Sequence, residues 1–178
     1  MTMARPSDTK ARIQEVAREL FLRQGVTNTS LRQISERLGI TKPALYYHFD
    51  SREALLRSVI QPLTDDLEAF AAARRPGPPE DLLADYFDLA WQHRDVLMMI
   101  VADLSILSEL DLVGRMLSWR ETLVTLLIGP TAPQRARIHA TVAVGGLSDC
   151  IVEYAQLPAE DVKKAAVEAA LAALHAGS

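Results

Sequence analysis

Residues 27–53 read TNTSLRQISERLGITKPALYYHFDSRE, and no other stretch constrains the fold of this chain as tightly. Ser30 is a good helix N-cap, because its side-chain oxygen can accept from a first-turn N–H, and Gln33 three residues later completes a capping box. Leu31, Ile34 and Leu38 recur at helical spacing, which predicts a helix of about two turns with one apolar stripe. Gly39 follows where a left-handed residue ends a helix, and Ile40 offers an apolar plug for the turn. Thr41 caps a second helix, with Pro43 in its first turn, where a missing N–H costs nothing. Two short helices joined by a glycine turn make a helix-turn-helix.

The second helix carries the chemistry. Successive helical residues point about 100° apart, so Tyr46, Tyr47 and His48 cannot all face one core. Leu45 and Phe49, four apart, are the expected buried pair, which leaves Lys42 and Tyr46 on another face with Tyr47 and His48 beside it. Such a platform suits DNA: lysine reaches a guanine edge or a phosphate, a tyrosine ring packs on a thymine methyl, and Tyr and His donate to phosphate oxygens. The alternative is that these aromatics serve a core or a protein interface, for which two adjacent tyrosines and a histidine are poor material.

The segment from Lys10 to Leu56 resembles the DNA-binding domain of the TetR family of one-component transcriptional regulators. The likeness begins in IQEVARELFLRQGVTNTS, where Ile13, Val16, Ala17, Leu20 and Phe21 form one apolar stripe, and passes Gly25 and LRQISERLGI. It ends in TKPALYYHFDSREALL, which is similar to the family's signature. The resemblance implies that Lys42, Pro43 and Tyr46 touch bases and that Tyr47, His48 and Arg52 clamp phosphates. It places Arg32 where some members reach a base edge or phosphate. Ser30 and Thr41 match helix N-terminal positions that bond phosphates, where free N–H groups and the helix dipole favour an anion. Arg52 departs from the pattern, in which lysine is commoner, but either cation serves a phosphate.

Charge distribution points the same way. Residues 1–57 carry ten Lys/Arg against six Asp/Glu, in a chain whose formal charge is −4. An acidic protein with a basic end approaches a polyanion with that end forward. Uneven charge alone fits an ordinary solvated surface equally well; its coincidence with the motif favours DNA.

At 178 residues, Ala/Leu-rich, with eight glycines and no stretch alternating with period two, the chain reads as all-α. The expected division is a DNA-binding domain over 1–53 and a helical ligand-binding and dimerisation domain over 54–178. No 18-residue apolar run exists, since Val96–Leu107 is interrupted by Asp103, so no membrane span is expected. The first residues lack an apolar signal core, which makes the cytoplasm the expected location. Residues 1–7 read as a flexible tail, within which Arg5 either reaches a minor groove or stays disordered. Cys150 stands alone among apolar neighbours and reads as a buried thiol. The histidines at 48, 93, 139 and 175 have no metal-ligand spacing, and no nucleophile–base pair or cofactor loop is present, so neither metal, cofactor nor enzymatic activity is expected.

Beyond the motif the expected helices are Arg52–Ala73, with Pro62 bending it or locally breaking its hydrogen bonding; Glu80–Gln92 after the break RRPGPPED; Arg94–Leu107; Leu110–Ile128; Pro133–Gln156; and Pro158–His175. In the last two, Ala140, Ala143 and Gly146 admit a close neighbour, while Val162, Ala166, Ala169, Ala170, Ala173 and Leu174 form a smooth face. Gly145 and Gly146 inside a helix cost about 1 kcal/mol each relative to alanine, which close packing would justify. These helices either pack inside one subunit or form a four-helix seam between two; the resemblance implies the seam. A two-fold dimer sets two recognition helices about 34–36 Å apart and calls for a near-palindromic operator.

Phe87, Trp91, Met98, Met99, Leu104, Met116, Trp119, Leu123 and Leu147 are large apolar or soft side chains on several helices, a composition suited to a small-molecule site. Asp103, Asp149 and Tyr154 are the candidate polar contributors, although the two acids equally suit caps or ion pairs with Arg94 or Arg120, and most of the apolar set equally suits plain core. Together these readings describe a ligand-responsive repressor that binds double-stranded DNA as a homodimer and answers to a small-molecule effector whose identity the residues do not specify.

Overall fold

The computed structural model describes residues 6–176, which run as helices without a strand among them. In order they are α1 (Pro6–Gln24), α2 (Leu31–Leu38), α3 (Lys42–Tyr46), α4 (Arg52–Ala73), α5 (Pro79–Gln92), α6 (Arg94–Ala102), α7 (Ser105–Glu109), α8 (Leu112–Ile128), α9 (Gln134–Glu153) and α10 (Ala159–His175). Helix α1 starts inside the segment expected to be a tail, and Arg5 lies outside the described residues. The chain packs as two compact units: one runs to Pro62 and takes in Met98–Asp111, the other comprises Leu63–Leu97 and the chain from Leu112 onward. By packing, the first unit therefore holds more of the chain than residues 1–53.

In the first unit α1 buries Ile13, Ala17 and Phe21, and half-buries Val16 and Leu20. It packs on α2, which packs on α3, around Ile34, Leu45, Phe49, Leu55 and Leu56. Helix α4 continues through Pro62. Proline has no N–H, so the carbonyl of Ser58 one turn earlier loses its helical donor. Gln14 of α1 fills that role, its Nε2 donating to Ser58 O at 3.2 Å.

The expected single helix Arg94–Leu107 is two helices, α6 and α7. Asp103 breaks it. Its Oδ1 accepts from the Ser105 N–H at 3.1 Å and from the Ser105 hydroxyl, starting a new helix where the old ladder stops. Ile106 is then buried, and α7 closes before Asp111, which takes a left-handed φ of 53°.

In the second unit α10 packs on α9 and α5, and α9 on α8 and α5. Small residues make these approaches possible: Ala90, Ala140, Ala143, Ala166 and Ala170 are buried beside Leu83, Phe87, Val144, Leu147 and Ile151. Ala140, Ala143, Val162, Ala166 and Ala170, expected at a seam between subunits, are thus consumed within one unit. Among apolar and small residues, α9 leaves Ile138, Val142 and Gly146 in solvent, and α10 leaves Ala165, Ala169 and Ala172. Gly145 has a different task, since a Cβ there would lie 2.8 Å from Arg120 Nη2, so the glycine lets that guanidinium cross α9. Tyr86 of α5 is bonded at 2.8 Å to Ser148 of α9. Cys150 is half-buried, and its thiol is pushed up by burial and then by the negative charge of Asp149. Among the described residues no helix is long and apolar enough to cross a membrane, and no group of three or more His, Cys, Asp or Glu is placed to hold a metal.

Candidate nucleic-acid interface

The helix-turn-helix is built by the local signals its sequence carries. Ser30 Oγ accepts from Gln33 N at 3.2 Å, and Gln33 Oε1 accepts from Ser30 N at 2.8 Å, a complete capping box. Gly39 ends α2 with φ 65°, and the Ile40 N–H returns to Ser35 O at 3.0 Å, which satisfies a carbonyl that the helix end would orphan. Thr41 Oγ1 then accepts from Ala44 N at 3.3 Å and opens α3.

Helix α3 is only five residues long. Tyr47 is its C-cap, still helical at φ −62° and ψ −29° with its N–H on Pro43 O at 2.9 Å, and His48 stands in the turn after it. The Leu45 carbonyl accepts from both His48 N and Phe49 N, a tightening that folds Phe49 back into the core beside Leu45. Lys42 and Tyr46 share the exposed face of α3, with Tyr46 half in solvent and Tyr47 81% exposed. The Tyr47 and His48 rings meet edge to face, their centroids 5.2 Å apart. On the far side Lys10 lies over the Phe49 ring.

Five of the nine expected DNA contacts converge. Ser30, Arg32, Lys42, Tyr46 and Arg52 line one open groove of about 410 Å³, whose walls are completed by Thr27, Thr29, Leu31 and Leu45. Thr41, Pro43, Tyr47 and His48 lie outside it: Thr41 caps the start of α3, Pro43 is on it, and Tyr47 and His48 follow it. Arg32 Nε bonds Glu36 Oε1 at 2.7 Å, and this raises the guanidinium's pKa through the hydrogen bond and then the charge. Both partners are solvent-exposed, so an incoming phosphate can displace this pair.

Arg52 is held more firmly. Its Nη1 donates to Val26 O at 3.0 Å and its Nη2 to Glu109 Oε1 at 3.3 Å. Thr27 is also engaged, donating to Asp103 Oδ2 at 3.2 Å. The Asp103 carboxyl is held below the ordinary carboxylate range, first by the Ser105 hydroxyl and then by the Ser105 N–H, Thr27 and the Arg52 charge. Thr27, Thr29, Asp103 and Glu109 escaped the sequence reading as parts of this site. Thr27 and Thr29 have no spacing signal, and the two acids come from a segment distant along the chain.

The twelve residues offered for a ligand pocket divide between the units. Met98, Met99 and Asp103 belong to the first, and Asp103 is engaged there as described. In the second, Phe87, Leu123 and Leu147 are fully buried, while Trp91, Met116 and Trp119 are half-buried and Asp149 is exposed. Phe87 stacks on Trp91 with centroids 5.3 Å apart, and the Arg94 guanidinium lies over the Trp91 ring. Trp119 tilts against Tyr86 and lines a cleft of about 330 Å³ with Glu68, Arg115 and Thr122. Leu104 and Tyr154 lie largely in solvent.

Residues 13–59 match the sequence profile described as bacterial regulatory proteins, tetR family. The transcriptional regulator SrpR of Pseudomonas putida is 36% identical over 67 residues, which is 38% of this chain and 32% of that protein. The chain spans about a third to a half of the length of the curated relatives it matches. Among solved structures, a transcriptional regulator from Aquifex aeolicus VF5 superimposes with a TM-score of 0.78 at 24% identity, over 90% of this chain and 96% of that one. A complex of SmeT with triclosan gives a TM-score of 0.64 at 24% identity, over 93% and 90%. The fold is therefore shared along nearly the whole chain, whereas the sequence likeness is concentrated in the helix-turn-helix.

Proposed function

We propose that this chain, whose residues 13–59 match the tetR family of bacterial regulatory proteins, is a DNA-binding transcriptional repressor that grips a near-palindromic operator as a homodimer and releases it when a small molecule binds. The observation that carries this reading is the groove that gathers Ser30, Arg32, Lys42, Tyr46 and Arg52 at the basic end of an acidic chain. Lys42, Pro43 and Tyr46 face base edges in the major groove. Ser30, Arg32, Thr41, Tyr47, His48 and Arg52 hold the phosphates on either side, which fixes register without reading sequence.

The remainder of the function belongs to residues 54–178. The solvent-exposed apolar stripe of α9, Ile138 and Val142 with Gly146, is the face on which a second copy docks, with the exposed alanines of α10 beside it. The cleft beside Trp119, whose ring tilts against Tyr86, suits a flat apolar effector, a reading favoured by the shared fold with a protein solved with triclosan. The effector acts by preferring a form in which the two reading helices no longer match the half-site spacing.

Selection of bound duplexes from a random pool tests the core of this reading. An inverted repeat with half-site centres about one helical turn apart, ~34–36 Å, is the expected product. A pool that stays random after repeated rounds refutes it.

A further inference from the structure

Two residues on the wall of the groove are already occupied. Thr27 and Arg52 both line it, and each is bonded to a carboxylate from one short stretch of chain, Asp103 at 3.2 Å and Glu109 at 3.3 Å. An ionised carboxylate and a phosphate diester present the same thing to a guanidinium or a hydroxyl: anionic oxygens that accept charge-assisted hydrogen bonds. The Arg52–Glu109 pair is partly open to water, with side chains 35% and 27% exposed, so a competing anion can reach it. Arg52 has a second anchor in the Val26 carbonyl, which keeps its guanidinium at the groove if Glu109 lets go.

Resting on the DNA-binding reading above, we infer that Asp103 and Glu109 stand in for DNA phosphate at a Thr27–Arg52 subsite. The free protein holds this part of its groove self-paired. A duplex must displace the two carboxylates to be gripped there, so the segment carrying α7 sets the threshold for binding. Anything that draws Glu109 away from Arg52 strengthens the grip, and anything that fixes the pair weakens it.

Titration of a fluorescent mixed-sequence duplex at several salt concentrations tests this without knowledge of the operator. Wild type, Glu109→Gln, Arg52→Gln and the double variant are compared, with far-ultraviolet circular dichroism checking the fold. Glu109→Gln is expected to bind about three- to tenfold more tightly at low salt, and its slope of log K against log salt is expected to steepen by about 0.9, one added phosphate contact. The gain is expected to vanish when Arg52 is also glutamine. Unchanged or weaker binding by a folded Glu109→Gln overturns the inference while leaving DNA binding intact, as does a gain that survives the loss of Arg52. Failure of wild type and Glu109→Gln alike to bind any duplex overturns both. Should Glu109→Gln not fold, Asp103→Asn decides: tighter binding supports the subsite, and unchanged or weaker binding overturns it.

Discussion

Tyr46 and Leu45 are neighbours with opposite fates, and the difference separates reading from folding. Leu45 is buried under α3, while Tyr46 stands half in solvent on the groove beside Lys42. Tyr46→Ala is expected to leave the fold intact and to weaken binding to the selected operator by about 1–3 kcal/mol. A gel-shift titration that finds full affinity removes Tyr46 from the reading set. The four-residue spacing of Lys42 and Tyr46, and of Leu45 and Phe49, made these faces legible, because one turn of helix is enough to impose them. His48 was not legible as a turn residue, since the double acceptance at the Leu45 carbonyl is a property of the folded backbone. Tyr86 is a residue-scale case elsewhere. Its hydroxyl shares a hydrogen bond of 2.8 Å with Ser148 Oγ. Burial, opposed by the Ser148 hydrogen bond and the Arg120 charge, pushes its pKa from 10.0 up to about 12. The folded state thus favours the protonated phenol, a contribution fully present below pH 10 and lost as pH climbs toward 12. Wild type is expected to lose melting temperature faster than Tyr86→Phe across that window, and parallel losses contradict the assignment.

Helix α4 shows what an element needs beyond its periodicity. The Leu55, Leu56, Val59, Ile60 and Leu63 stripe is visible in the sequence and is buried as expected. Pro62 is equally visible as a defect, but its remedy is not, because Gln14 reaches Ser58 O from another helix 44 residues away. Gln14→Ala is expected to destabilise the protein by about 1 kcal/mol, the cost of an unsatisfied, partly buried carbonyl. In a Pro62→Ala background the new N–H at position 62 can close the helix on Ser58, and the same substitution is then expected to cost little. Urea unfolding of the four proteins gives the coupling directly, and additive effects would dissolve the proposed link. The split of Arg94–Leu107 into α6 and α7 was hidden for a related reason. Asp103 is tolerable at a helix surface, and only its capture of Ser105 makes it a breaker. Caps within three residues were readable; partners brought by tertiary packing were not.

At the scale of the molecule, the exposed faces of α9 and α10 are where the proposed dimer turns one reading helix into two. The sequence offered Ala140, Ala143 and Gly146 of α9 together, but small residues serve a close approach inside a subunit as well as between subunits. Ala140 and Ala143 went to the interior, and Ile138 and Val142 stayed out. A lone reading unit contacts a single half-site, and a pair of linked units converts the second contact into an intramolecular one, which raises affinity without new chemistry. The protein is therefore expected to sediment as a dimer at micromolar concentration. Val142→Asp places a charge on the exposed stripe, where the folded subunit has nothing to lose, and is expected to yield a folded monomer with weakened operator binding. Ala143→Asp, one residue away, buries the same charge within the subunit and is expected to unfold it instead. If Val142→Asp sediments as wild type does, the α9 stripe is not the seam; if both variants unfold, Val142 serves the subunit core and not a docking face.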